Sequence, residues 1–330
     1  MNPSEENGIT IVMVAHGRSN VVRQTLAGLA LCNQPANYRQ LILVENGPEC
    51  GMEAVVAEFR DRLSIVHERI ESPRKSVALN HALKIIERGW ALFIDDDVRV
   101  NPDWIQAYTE TIAKAPEGHY FGGPTGVDYE QRPPEWLIPY LPASARGLVF
   151  PEGTTEVTYP ACFLGFNWAA RIESLLRAGG FPEQFGPGTP YGGGDESFMQ
   201  RGLAALGETG ILIPQAIVWH QIPADRCTPE WCLKRFFAGG QTTGIEAASI
   251  DQQQPRKFAA QRSYFRHFRN RLTSIPLLDV LLLTPRGRFW VQRTRSWLQG
   301  FRIGYSSGSD RSVSLLRGTP RNSELASETR

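Results

Sequence analysis

Three consecutive aspartates, Asp95 to Asp97, close the apolar run of residues 91–94 within the stretch GWALFIDDDVRVNPDW, residues 89–104. Like charges this close repel one another and each resists leaving water, so solvent or a bound cation is needed to keep them. The plainer alternative is a polar turn before a helix, with Asn101 as its cap and Pro102 at the first helical position. The two readings are compatible. A second pair of acids, Asp195 and Glu196, ends the glycine-rich segment FGPGTPYGGG (185–194), and Trp219-His220 ends a later apolar run. Both halves of the chain thus deliver ionisable groups from the ends of strands and loops.

The elements that must position these groups can be traced in order. Residues 8–15 (GITIVMVA) are β-branched and almost wholly apolar, the pattern of a buried parallel strand, and residues 16–20 form a polar turn into a helix over 21–31. A second strand over 41–45 stops at the turn pair Asn46-Gly47. A helix over 52–63, a short strand over 64–68, a polar loop at 72–76 and a helix over 77–88 lead into the aspartate strand. Strands alternating with helices predict an α/β unit with a Rossmann-like, mostly parallel central sheet flanked by helices. Its carboxyl edge, where open sheets of this kind hold ligands, carries His16, Glu45 and the three aspartates together.

From residue 120 the pattern changes. A strand is expected over 120–127, then a proline- and glycine-rich stretch, 132–160, with no sustained period, read as a long ordered loop over the site. A helix over 171–178, a helix over 197–206 and a strand over 210–220 follow. The expected division is 1–119 as the ligand-binding half, 120–250 as the second half of the same domain, 251–305 as a basic-aromatic helical C-terminal extension and 306–330 as a disordered tail.

Composition narrows the class. With 330 residues, 42% of them hydrophobic, and a net charge of +1, the chain has ample core and no strong bias toward polyanions. No window reaches 18 apolar residues and the start, MNPSEENG, is polar, so a cytoplasmic protein is expected. Five cysteines at irregular spacing argue against a disulfide framework or a zinc site. Between Arg256 and Arg302, eleven basic residues face one acid, Asp279, with aromatics such as Phe289, Trp290, Trp297 and Phe301 between them. Such a segment suits the anionic inner face of a membrane, packing on the main domain, or a homodimer contact; nucleic acid has no motif behind it.

In sequence order, the pieces ITIVMVAHGRSN, LILVENG, SVALNHAL, ALFIDDDVRVNPDW, GFNWAARIESLLRAGGFPE and GGGDESFMQRG resemble the family 2 glycosyltransferases. These enzymes have the GT-A fold and move a sugar from a nucleotide-sugar donor with inversion at the anomeric centre. The similarity runs over residues 9–221, and the order and spacing of the pieces carry it rather than any one of them.

The resemblance implies roles residue by residue. The family's Asp-X-Asp motif falls on Asp95 and Asp97, the second acid binding the Mn²⁺ or Mg²⁺ that bridges the donor's phosphates. Asp96 would contact the ribose or orient Asp95. Glu45 stands where the family usually has a base-recognising aspartate, which implies a UDP-sugar ahead of a guanosine one. His16 and Arg18 would meet the nucleotide, Arg74 and Lys75 its phosphates, and Asn80 would face the nucleotide from its helix. The family's Glu-Asp pair falls on Gly194-Asp195, implying Asp195 as catalytic base, with Glu196 as an acceptor-binding partner or simply a first-turn acid. Gly193 and Gly194 would let backbone approach the acceptor, and Trp168 or Trp136 would stack on a sugar or pack in the core. His220 would complete the metal set, imidazole suiting Mn²⁺ better than Mg²⁺, or serve as a structural histidine.

The function implied is a metal-dependent inverting glycosyltransferase using a lipid-linked or glycan acceptor, as in polysaccharide biosynthesis. Transfer to a soluble peptide or small molecule, and a non-catalytic nucleotide-sugar or glycan-binding protein, are the alternatives. A nucleotidyltransferase would carry an early glycine-rich basic signature, which is absent after Ala15.

Overall fold

The computed structural model describes residues 7–114, 117–159, 161–189, 192–253 and 276–309. Strand β1 (Ile9–Ala15) is buried along its whole length, as its unbroken apolar sequence requires. It lies between β2 (Tyr38–Asn46) and β4 (Trp90–Asp95), parallel to both, and β2 pairs in parallel with β3 (Ile65–Ile70). Helices α1 (Ser19–Leu29), α2 (Met52–Ala57) and α3 (Lys75–Ile85) connect them. The strand order β3-β2-β1-β4 is the Rossmann-like half expected from the alternating pattern. Its registers bring Ala15 level with Glu45, and Val14 level with Asp95, so these carboxyl ends form one edge.

Beyond β4 the sheet continues through β9 (Trp168–Arg171), β6 (His119–Gly122), β10 (Thr209–Leu212) and β8 (Glu156–Val157), now mixed in direction. Two continuous strands were expected here, over 120–127 and 210–220. Each is broken. The first becomes β6 and β7 (Thr125–Tyr129), and the second β10 and β11 (Val218–Ile222). Pro124 and Pro214 stand in the two breaks and cannot donate to a ladder, so the big sheet ends there. Both segments cross together into a second sheet, β5-β11-β7, where β5 (Val98–Val100) follows the aspartates directly.

Asn167 pins this crossing. It is fully buried, its Nδ2 donates to the carbonyls of Pro124 (3.0 Å) and Ala216 (2.7 Å), and its Oδ1 accepts from Trp104 Nε1 (2.9 Å) and Tyr108 Oη (3.0 Å). A polar residue in a core is tolerable only when satisfied in this way. Trp104 and Tyr108 belong to α4 (Trp104–Lys114), whose start is set by Asn101: its side chain accepts from the Asp103 amide at 3.0 Å, two residues after which the expected cap leads into helix.

The described part of the basic extension is helical but not free. Helix α8 (Pro229–Gln253) begins well before residue 251, and α10 (Pro285–Ser309) runs past 305 into the expected tail. They pack backbone to backbone. A Cβ on Gly240 or Gly244 would strike the Trp297 or Phe301 carbonyl, and one on Gly300 or Gly304 the Phe237 or Gln241 carbonyl. Phe289, Trp290, Trp297 and Phe301 are buried, Phe289 against Trp136 and Tyr140, and Arg286 Nε donates to Tyr140 Oη at 3.2 Å. The aromatics read from sequence as reaching toward a membrane thus serve internal packing. Among the described residues no helix is long and apolar enough to cross a membrane. The remaining basic and aromatic residues of 254–275 and the tail 310–330 lie outside the described residues.

Two stability measurements check this account. Asn167→Ala should lose about 3 kcal/mol or more in denaturant melts, since it strands buried donors and acceptors worth roughly 1–3 kcal/mol each; a loss under 1 kcal/mol would remove the residue from this role. Gly304→Val should cost about 2–3 kcal/mol through overpacking. The control Gly239→Ala, where an added Cβ meets nothing within 4 Å, should be neutral or stabilising by about 0.5–1 kcal/mol.

Candidate active site

A cavity of about 480 Å³ opens at the carboxyl edge of β1 and β4. Its walls include His16, Arg18, Lys75, all three aspartates, Gly193, Gly194, Asp195, Glu196 and His220, so the residues picked from two distant stretches meet.

The aspartates are separated by what faces them. Asp95, at the end of β4, pairs with Lys75 Nζ from the first turn of α3. Asp96 takes Arg18 Nη2 at 2.5 Å on one oxygen, while its buried Oδ2 has no partner. Asp97 takes Arg18 Nη1 at 2.9 Å and Arg226 Nη1 at 3.6 Å on one oxygen and His220 Nε2 at 3.0 Å on the other. Burial pushes the Asp97 carboxyl up, but His220 and Arg18 more than offset it and hold it below the usual carboxylate range. Burial and the Asp97 charge push Asp96 up. The charge on Lys75 is opposed by burial, yet Asp95 and Asp195, one acid from each half of the domain, outweigh that and raise its pKa.

His220 reaches Asp97 because β11 pairs antiparallel with β5, setting His220 beside Val98, and the Gln221 amide donates to the Asp97 carbonyl at 2.8 Å. Its Nδ1 donates to the Ser144 carbonyl at 2.6 Å, which orients the ring, and its Nε2 lies 3.0 Å from Asp97 Oδ1 and donates to that carboxylate. Burial lowers the ring's pKa and Asp97 raises it further, so the net direction is upward.

One carboxylate and one imidazole converging, with an orphaned Asp96 oxygen close by in sequence, are hard and borderline donors that fit Mn²⁺ or Mg²⁺. Phosphate oxygens and water would supply the rest. Among the described residues no three His, Cys, Asp or Glu side chains form a complete cage. Asp95, expected as a metal ligand, is paired with Lys75 through one oxygen.

Asp195 opens α7 (Asp195–Ala205) after Gly194, whose φ of 96° is left-handed, and it is 4% exposed. A loop crosses close above it: a Cβ on Gly186, φ 96°, would lie 3.0 Å from the Asp195 carboxyl carbon and from Ser76 Oγ. Ser76 Oγ donates to the Phe185 carbonyl at 2.7 Å, and the Lys75 amide to the Pro187 carbonyl at 3.0 Å, so α3 carries that loop. Glu196 is pushed up to about 8 by burial and by the adjacent Asp195 charge, with which its side chain shares a hydrogen bond. Near neutral pH Glu196 is therefore mostly protonated, and its proton lies between the two side chains.

Five expected residues lie outside the cavity wall, among them Trp136, which packs on Phe289. Glu45 is 1% exposed and its carboxylate accepts from the Cys50 amide at 2.9 Å and lies 3.4 Å from His67 Nε2, so its charge is held inside the fold. Trp168 is fully buried and stacked on Phe93 at 4.7 Å, leaving no face for a sugar. Asn80 clasps the chain at Phe181, donating to its carbonyl (2.9 Å) and accepting from its amide (2.8 Å). Arg74 is turned to Glu183. Conversely Arg226, Trp231 and Arg235 line the cavity and went unnoticed. They sit in a short 3₁₀ turn, Ala224–Cys227, and at the start of α8, a region without any acid cluster or glycine pattern to draw the eye.

Residues 10–172 match the family model described as Glycosyl transferase family 2. Chondroitin synthase from Escherichia coli is 29% identical over 252 residues, covering 67% of this chain and 35% of that protein, so the chain spans about a third of that relative's length. Among solved structures, mannosyltransferase PcManGT from Pyrobaculum calidifontis, in complex with GDP-Man and Mn²⁺, superposes with a TM-score of 0.55 at 17% identity, covering 94% of this chain and 89% of that one. TarS 1–349 from S. aureus, in complex with UDP-GlcNAc, gives 0.52 at 13% identity, covering 91% of each. At these identities the likeness is one of fold, GT-A.

The protonated Glu196 has a thermodynamic signature. Between its ordinary value of 4.5 and about 8 the folded chain holds a proton that the unfolded chain has lost, so this group's contribution to stability falls as pH rises through that window. The melting temperature of Glu196→Gln minus that of the parent should therefore climb from pH 5 to pH 8; a flat difference would contradict the assignment.

Proposed function

We propose that this chain, whose residues 10–172 belong to glycosyl transferase family 2, transfers a sugar from a nucleotide-sugar donor to an acceptor hydroxyl with inversion, using Asp195 as base. The observation that carries the reading is a single cavity lined by Asp97, His220 and Asp195 together, with Lys75 in the field of Asp95 and Asp195.

In this reading the donor's diphosphate lies along Arg18, Lys75 and Arg226. Asp97 and His220 hold a divalent cation, which when bound offsets charge on the departing nucleoside diphosphate. Arg18 and Lys75 oppose the same charge as the anomeric C–O bond breaks. The acceptor oxygen attacks the anomeric carbon from the opposite face, and Asp195 removes its proton as the new C–O bond forms. Protonated Glu196 keeps a second negative charge away from Asp195 and so leaves the base poised. Because Glu45 is committed to Cys50 and His67, the uridine preference rests on the family resemblance and is put to the test with both bases.

Release of nucleoside diphosphate is measured with UDP- and GDP-sugars, after chelation and after adding back Mn²⁺ or Mg²⁺. Turnover should need the metal and favour the uridine donor. Asp195→Asn should lower transfer by about 10²- to 10⁴-fold while nucleotide affinity stays within a few fold. Activity near the parent level in that variant would remove Asp195 as the base.

A further inference from the structure

A second cavity, of about 280 Å³, is lined by residues of α7 and α8. It shares residues 192–194 and Arg235 with the large one, so the two adjoin along bare backbone. Its size is near the lower end of small-molecule sites, roughly 300 Å³.

The wall chemistry selects among ligands. Tyr159 is 39% exposed and offers a ring face. Phe198 is stacked on Phe185 at 4.2 Å, which holds its ring in place at the wall. Thr242 and Thr243 donate their hydroxyl protons to the carbonyls of Ala238 and Gly239, and so present oxygen lone pairs as acceptors. Arg235 gives one N–H to the Gly192 carbonyl at 2.8 Å and has others to offer. Glu246, 3.5 Å from Arg201, adds a carboxyl group. Among the described residues lining it there is no Val, Leu, Ile or Met, the side chains an acyl or prenyl chain would require. Aromatic faces for C–H surfaces together with hydroxyl, carboxyl and guanidinium groups are the requirements of a sugar ring.

The spacing connects this wall to the reaction. Ser197 and Phe198 follow Asp195 by two and three residues on the same helix, a rise of about 3–5 Å. A hydroxyl held at Asp195 thus has the next part of its own molecule beside this cavity. We propose that the second cavity binds the sugar unit adjoining the one that reacts, so that the acceptor is a glycan of two or more units. This rests on the transferase reading and adds the class and minimum length of acceptor.

Gly239 gives a clean test. It lines the second cavity but not the first, and an added Cβ there meets nothing within 4 Å, so Gly239→Leu fills the space without displacing the fold. Donor labelled in its sugar is offered with a panel of defined oligosaccharides of one to four units, and hydrolysis of donor to water is followed in parallel. For the glycan that is labelled, kcat/KM should rise at least tenfold from one unit to two, and Gly239→Leu should bring it back to the one-unit value. Donor hydrolysis should stay within twofold, with Gly239→Ala as folding control. Equal rates for one unit and two, no effect of Gly239→Leu on the longer acceptors, or label found only in lipid or peptide would each overturn the proposal. Binding of the same panel, followed by saturation-transfer NMR with parent and Gly239→Leu, separates the two readings. Glycan binding that Gly239→Leu abolishes, in a chain that does not turn over donor, sinks the transferase reading and leaves the cavity assignment standing. Binding that survives the substitution sinks the cavity assignment alone.

Discussion

Desolvation of the aspartate run at the end of β4 is the constraint to which most of this molecule answers. Asp96 and Asp97 are each 4% exposed, and buried carboxylates persist only with compensation. The compensating groups come from everywhere: Arg18 from the turn after β1, Lys75 from the start of α3, His220 from β11 and Arg226 from the turn before α8. Each must arrive at one point. That requirement explains why the loop after β1, the α3 terminus and the second sheet are fixed with respect to one another, and why residues so far apart in sequence share one wall.

The C-terminal helices belong to the same arrangement. Trp231 and Arg235 on α8 close the cavity on the side away from the Rossmann-like half, and α8 is held along its length by the close glycine contacts with α10. A helix pair that approaches at the backbone has few ways to slide, because any displacement drives carbonyls into Cα atoms. The extension is thus a brace for the cavity wall. Most of its arginines stay outside while its aromatics go in, as with Arg288 exposed beside the buried Phe289 and Trp290; Arg293 is the exception, lying over the rings of Tyr140 and Phe236.

Sequence legibility followed the range of the interactions. The strands β1, β2 and β4 were readable because a strand buried on both faces has to be apolar throughout, and Asp95 to Asp97 stood out because nothing apolar explains them. Asp195 was marked by the resemblance to the family's Glu-Asp pair, aligned through the glycines before it, and it lines the same cavity as the aspartate run. What escaped depended on tertiary choice. Pro124 and Pro214 mark strand ends, but nothing local says that both chains then enter a second sheet together, a pairing held by Asn167 from a third place. Glu45 and Trp168 sit at positions whose neighbours suggest ligand contact, yet their side chains turn into the fold, toward Cys50 and Phe93. Basic-aromatic composition in the tail could not distinguish a surface from a packed helix pair, since the same aromatics serve either until the glycines opposite them are known to be in register.

Charge balance within the large cavity carries the argument one step further. The acids Asp95, Asp96, Asp97 and Asp195 face Lys75, Arg18, Arg226 and Arg235, with Glu196 mostly protonated near pH 7 and Asp96, pushed up to about 7, partly so. On this tally the cavity is close to neutral before any donor arrives. A diphosphate entering it adds at least two negative charges to a site already partly desolvated, where uncompensated charge is costly. Arg18 and Arg226 cannot serve Asp97 and the phosphates equally well at once. Asp97 and His220 would hold a divalent cation whose charge would balance that of the diphosphate, leaving Arg18 and Arg226 to the phosphates. The ion pairs around Asp97 are, on this view, its resting partners, and the hydrogen bond from His220 Nδ1 to the Ser144 carbonyl keeps Nε2 aimed at Asp97.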